Sequence, residues 1–151
     1  MPAEKQFGRE QYKNMMTALR TQGAELGIDF CERSLLANSR LAIEVSEYAR
    51  DKGLHSAFSE KVFQTYFTQG RNIGELDVIL DVAAATGLDR EEVRRMITEG
   101  ACAAKRVQIA KEAEEKQIEM VPTFIINDRH RLVGVLSAGE FRDLFAKLSS
   151  E

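Results

Sequence analysis

The stretch Met120-Val121-Pro122-Thr123-Phe124-Ile125-Ile126-Asn127 decides the fold. Six of its eight residues are apolar or β-branched, the composition that packs well on a pleated surface. A proline near the front is tolerated, because at the first residue of a strand its missing N–H breaks no ladder. The run predicts a strand over 121–126. Asn127 and Asp128 carry turn chemistry, and residues 131–136 read as a second strand, so the two form a hairpin. Gly134 would weaken that second strand slightly, or mark a bulge or a close backbone approach. Ser137-Ala-Gly-Glu140 is a capping box, and it opens a last helix with Phe141, Leu144, Phe145 and Leu148 at i, i+3, i+4 and i+7.

Everything before this stretch reads as helix. Residues 8–26 carry Tyr12, Met15, Met16 and Leu19 on one stripe, with Gly27 as the stop. A connector, 28–33, has apolar anchors at Ile28 and Phe30. Ser34 can cap a second helix running to Lys52, with so wide an apolar face that burial on more than one side is expected. A third helix, 56–69, gathers Phe58, Val62, Phe63, Tyr66 and Phe67 into an aromatic centre. A fourth starts at Asn72 or Gly74 and runs through Thr86 on Leu76, Ile79, Leu80 and Ala83. Asp89-Arg-Glu-Glu92 is a capping box for a short helix to Glu99, and a sixth helix covers 102–117. The fold class is therefore α+β and mostly helical. It divides into a helical domain over 1–118 and a C-terminal ββα unit over 119–151, expected to make one compact folding unit.

Composition narrows the function classes. Hydrophobic residues make up 44% of the 151 and charged residues 30%, a balance that supports a packed core. A net charge of −3 lacks the basic excess of a nucleic-acid binder. Arg94-Arg95 and Lys105-Arg106 read as solvated faces of glutamate-rich helices, as do Glu112, Glu114 and Glu115. No apolar run approaches the length of a membrane span, and the first ten residues have no apolar core of a signal peptide. The expectation is a cytoplasmic protein with no nucleic-acid or membrane partner. Cys31 and Cys102 form neither a CxxC pair nor a metal-ligand spacing, and a cytosolic setting disfavours a structural disulfide. No metal site, nucleotide loop or cofactor site is expected.

Several runs together carry a family likeness. Val121-Pro-Thr-Phe-Ile125, the hairpin and the last helix resemble the closing ββα unit of the thioredoxin fold. Ser34-Leu-Leu-Ala-Asn-Ser-Arg-Leu-Ala42, Glu47-Tyr-Ala-Arg-Asp-Lys-Gly53, Tyr66-Phe-Thr-Gln-Gly-Arg-Asn-Ile73 and Gly87-Leu-Asp89 resemble the DsbA-like proteins of the FrnE type. The likeness runs from about Phe7 to Leu148. It implies a helical domain inserted in a thioredoxin fold, a thiol-disulfide oxidoreductase family, and a cis bond at Val121-Pro122. It also implies that Val121, Pro122 and Thr123 form a loop whose backbone contacts an extended peptide. Family members place a Cys-x-x-Cys at a helix N-terminus, where the first thiol is acidified. This sequence has no such pair, and Gln117-Ile-Glu-Met120 replaces the family's usual glycines before the proline. The expectation is a truncated member that is redox-inactive by itself, with no catalytic residue assigned. The alternatives are a non-catalytic dimeric interaction module and, more weakly, a relative of the glutathione-dependent 2-hydroxychromene-2-carboxylate isomerases.

The remaining candidates have plain competing readings. Cys102 beside Lys105-Arg106 is a candidate reactive thiol, set against an inert half-buried one. Cys31 beside Glu32 reads as inert, His55 as a surface or capping group, and His130 as solvated in the hairpin turn. A two-stranded hairpin is marginal in water, and its open edges invite pairing. A homodimer through the hairpin is therefore expected.

Overall fold

The computed structural model describes residues 2, 6, 8–32 and 35–149, without the side chain of residue 102. The elements are α1 (Arg9–Glu25), α2 (Arg40–Asp51), α3 (His55–Phe63) with a π-helical continuation (Gln64–Thr68), α4 (Leu76–Ala85), α5 (Arg90–Thr98), α6 (Ala101–Glu115), β1 (Thr123–Ile126), β2 (His130–Val133) and α7 (Ala138–Leu148). The class is α+β and mostly helical. By contacts the chain divides into two compact units, Met1–Gln108 and Ile109–Glu151. The division falls within α6, whereas the change of sequence period falls at 118/119.

The first unit owns the core. It gathers Leu41, Val45, Tyr48 and Ala49 of α2, Phe58 and Val62 of α3, Val78 to Ala83 of α4 and Val93 of α5. Helix α4 buries a wide face, Val78, Ile79, Leu80, Val82 and Ala83, of which Val78 and Val82 lie outside the expected stripe while Leu76 of that stripe is half-buried. The α5 cap forms by one arm only. Asp89 Oδ1 accepts the Glu92 N–H at 2.7 Å, while the Glu92 carboxylate lies 3.6 Å from Lys52 Nζ.

Two helices depart from the sequence reading. The expected cap Ser34 lies outside the described residues, and α2 begins only at Arg40. Residues 35–38 instead give backbone groups to partners elsewhere. Tyr66 Oη donates to Leu35 O and accepts from the Ala37 N–H, each at 3.4 Å. Asn38 Oδ1 takes the Arg40 N–H at 2.9 Å and so starts the helix later. In α3 the helix widens to a π turn after Phe63. Thr65 in that turn is buried, while Phe63, the last α-helical residue before it, is 60% exposed with its ring 6.0 Å from that of Phe67. Tyr66 and Phe67 stay half-buried, with Phe67 edge-on to Phe30 at 5.8 Å.

Helix α1 ends in a Schellman motif. Gly27 takes φ 72°, its N–H bonds Ala24 O, and the Ile28 N–H bonds Gly23 O at 2.8 Å. The returning chain passes so close that a Cβ on Gly23 would stand 2.6 Å from the Phe30 ring and 2.7 Å from Ile28 O. Gly23→Ala is therefore expected to cost about 1–3 kcal/mol, since a backbone oxygen cannot swing aside; urea unfolding measures it.

Two helix pairings in this unit are ionic. Glu44 is only 2% exposed, yet its carboxylate meets Arg106 Nε at 3.1 Å and Arg40 Nη1 at 3.5 Å. Lys105 pairs with Asp51. Lys105-Arg106 is thus not a merely solvated face but a clasp from α6 to α2.

In the second unit β1 and β2 pair antiparallel, with Thr123 opposite Val133, Phe124 opposite Leu132, Ile125 opposite Arg131 and Ile126 opposite His130. Asn127 and Asp128 both take positive φ, as a type I′ turn requires. Strand β2 starts one residue earlier and ends three earlier than expected, because Gly134 turns to φ 98°. His130 is accordingly a half-buried strand residue, not a solvated turn residue. The Ser137 box closes on both arms, Glu140 N–H to Ser137 Oγ and Ser137 N–H to Glu140 Oε2 at 2.7 Å. Phe124 packs edge-on against Phe141 of α7, centroids 5.0 Å apart.

Three carboxylates sit below their usual range. Arg50 holds Glu47 down by a hydrogen bond. Arg71 and then Arg90 do so for Asp81. The Ser137 backbone N–H does so for Glu140. A depressed folded pKa adds stability that is fully present above the unfolded value, about 4, and is lost as pH falls through the folded value. Thermal melts are expected to be flat above about pH 5 and to fall below about pH 4, and Asp81→Asn to make that fall shallower.

Candidate functional site

The candidate site is built where α6 ends and β1 begins. Helix α6 finishes in a second Schellman motif, with the Ile118 N–H on Ala113 O and the Gln117 N–H on Glu114 O, both 2.8 Å. The left-handed residue here is Gln117, φ 50°, at a position that glycine usually fills. The last carbonyls of a helix lack partners within it. Here the Schellman bonds take the carbonyls of Ala113 and Glu114, and Arg131 of β2 takes those of the two residues just past the helix, its Nη1 donating to Gln117 O at 2.7 Å and its Nη2 to Lys116 O. The guanidinium also places positive charge at the negative end of the helix dipole. It ties the helix end to the strand opposite Ile125 and so fixes both ends of the loop 118–122.

Within that loop the Val121–Pro122 bond is cis. Pro122 O accepts the Gly134 N–H at 2.8 Å, which continues the β1–β2 ladder one pair further. The Thr123 hydroxyl donates to Met120 O at 2.5 Å. That hydroxyl is engaged, so Thr123 offers its backbone rather than a nucleophile. Val121 is 86% exposed and Met120 is exposed beside it; across the ladder Val135 is 88% exposed. The structure therefore brings Val121, Pro122 and Thr123 together at the head of a strand, flanked by exposed apolar side chains. Backbone donors and acceptors at such a place can pair with an extended chain.

Cys102, Cys31 and His55 belong to the first unit. The side chain of Cys102 lies outside what is described. Cys31 is half-buried; its N–H bonds Phe67 O at 2.9 Å and its Sγ lies 4.0 Å from Tyr66 O. His55 is not a solvated group: Nδ1 is 3.0 Å from Ser46 Oγ and Nε2 is 3.0 Å from Arg50 Nη2. Arg50 can only donate, so Nε2 accepts and the ring proton sits on Nδ1. In the first unit a recess of about 340 Å³ is lined by Arg20, Ala24, Gly27, Ile28, Asp29 and Phe30. Its Arg20 Nε is used on Phe30 O at 2.9 Å.

Sequence reasoning found the loop and missed Gln117, Arg131 and Glu44. Gln117 and Arg131 are polar residues in polar contexts, and nothing local marks them as partners. Arg131→Ala is expected to cost about 1 kcal/mol and to speed amide exchange over 117–123. Arg131→Lys restores little, because one ammonium does not span two carbonyls as the planar fork does. Hydrogen exchange read residue by residue checks both.

Against known proteins, a family model described as DSBA-like thioredoxin domain matches residues 1–146. An uncharacterized protein of Bacillus subtilis (strain 168), YwbO, is 28% identical over 138 residues, covering 89% of this chain and 66% of the relative. The crystal structure of a probable DsbA oxidoreductase from Streptomyces coelicolor superposes with a TM-score of 0.87 at 22% identity, covering 100% of this chain and 68% of that one. The chain thus spans about two thirds of the length of each.

Proposed function

The chain belongs to the DSBA-like thioredoxin domain family, and on that premise we propose that it works through its proline loop. Val121, Pro122 and Thr123 present backbone groups to an extended peptide, and this polypeptide by itself turns over no disulfide. The reading takes the protein to be of the FrnE type and cytoplasmic, on the strength of its sequence motifs. The observation that carries the peptide contact is the pairing of a strand head with exposure: Val121 is almost wholly in solvent next to an edge that no strand covers among the described residues. The redox reading rests on the sequence, whose two cysteines do not form a CxxC pair.

Two measurements test it. With dithiothreitol as reductant, insulin precipitation in the presence of this chain is expected to proceed at the uncatalysed rate. Turnover by the chain alone would falsify the redox part. In amide chemical-shift mapping, an unfolded, uncharged peptide is expected to move the resonances of residues 120–125. Shifts elsewhere only, or none at millimolar peptide, would remove the peptide part.

A further inference from the structure

We propose that His55 and Arg50 form a proton-operated contact between α2 and α3: the neutral ring accepts the guanidinium, and the protonated ring expels it and takes the Glu47 carboxylate in its place. The contact lies within the first unit and involves neither the proline loop nor a thiol.

Backbone geometry places the ring. Helix α2 closes with the Gly53 N–H on Arg50 O at 3.0 Å and the Leu54 N–H on Ala49 O at 2.8 Å, and Gly53 takes φ 72°. His55 follows at once as the first residue of α3. Its half-buried side chain lies back on α2, with Nδ1 3.0 Å from Ser46 Oγ and 3.2 Å from Ser46 O. Nε2 stands 3.0 Å from Arg50 Nη2. The neutral ring thus uses both nitrogens, donating to Ser46 through one and accepting from Arg50 through the other.

Histidine is the side chain whose ordinary change of charge falls between about pH 5 and 8. An imidazolium carries an N–H on each nitrogen and accepts nothing. Nδ1–H keeps Ser46. The new Nε2–H, however, points at an arginine N–H with the two nitrogens 3.0 Å apart, so two donors and two positive charges oppose each other.

The replacement partner is already in place. The nitrogen that meets the ring, Arg50 Nη2, also donates to Glu47 Oε1 at 3.1 Å, and Arg50 Nε donates to Glu47 Oε2 at 3.0 Å. Arg50 first, and then the charges of His55 and Lys105, hold the Glu47 carboxylate below its usual range, so it stays ionised while the ring gains its proton. One solvent proton goes to Nε2, Arg50 keeps its Nε bond, and Glu47 Oε1 passes from Arg50 Nη2 to the ring.

Among the described residues the other nearby charges are engaged or distant. Lys105 of α6 is paired with Asp51. The π-helical continuation packed on α3 carries no charge. Helix α4 also packs on α3, and its Asp77 and Asp81 are held by Arg71, Arg90 and Arg94. On α3 itself Glu60 and Lys61 stand more than a turn away.

Side-chain NMR on the full chain tests this, with His55 resolved from His130, the other histidine. At about pH 8 the His55 ring is expected as the Nδ1–H tautomer. On acidification the Arg50 Nε and Cζ resonances are expected to move in one step, at the midpoint of the His55 ring, and a cross-relaxation contact from the ring to the Glu47 side chain to appear. In His55→Gln the Arg50 resonances are expected to stay level over the same range. An Nε2–H tautomer at high pH overturns the proposal. So do Arg50 resonances that stay level while the ring titrates, or an Arg50 step that persists in His55→Gln. The tautomer and the shared midpoint are read on the unaltered chain, so they decide the matter whether or not the variant folds.

Discussion

Where α6 gives way to the proline loop, one side chain takes the two carbonyls just past the helix. Arg131 reaches from β2 to the carbonyls of Lys116 and Gln117. The geometry of the loop depends on that contact. The helix stops without a glycine, on a left-handed Gln117, and Arg131 ties the turn that follows to β2. Pro122 then begins a ladder that Gly134 ends, so the proline loop is fixed from both sides. An exposed arginine contributes only modestly to total stability. Its effect here is positional, because one planar group bridges two oxygens and so constrains direction as well as distance.

The two units solve the problem of burial differently. The first surrounds α4 with apolar side chains from three other helices and leaves few of its inner residues wet. It even encloses a carboxylate: Glu44 is inside because Arg106 and Arg40 compensate it. An enclosed charge without such partners would cost several kcal/mol, so α6 must start where Arg106 can reach. The second unit has one helix for two strands. Phe141 covers Phe124, and the opposite side of the hairpin has no comparable layer within the unit. Its polar interactions, the Ser137 box and the Arg131 clasp, are better satisfied than its apolar ones. That imbalance explains why its conspicuous features are exposed valines and, among the described residues, a strand edge without a neighbour.

Much of this was legible in the residues. The change from a helical period to a run of β-branched and aromatic residues at 121–126 places the hairpin, and Ser137-Glu140 places the last helix. These signals are local. Capping, turn chemistry and alternation act within a few residues and read the same in any tertiary context. The family likeness, drawn from short runs between Ser34 and Ile125, agrees with the match over residues 1–146. What failed to read was non-local. Residues 35–38 look helical, but Tyr66 takes the Leu35 carbonyl and the Ala37 N–H. Phe63 looks internal, but it is 60% exposed.

The sequence by itself determined that this chain is mostly helical, that a proline heads a β-hairpin near its C-terminus, and which helix stops are glycines. Those follow from conformational preferences that each residue carries with it. Only the tertiary structure decided that Glu44 is buried, that His55 is held between Ser46 and Arg50, and that Arg131 ties the turn after α6 to β2. Each is a polar group whose place depends on a partner 5 to 62 residues away. The energy of such a group is set by what faces it, and local sequence does not record what faces it.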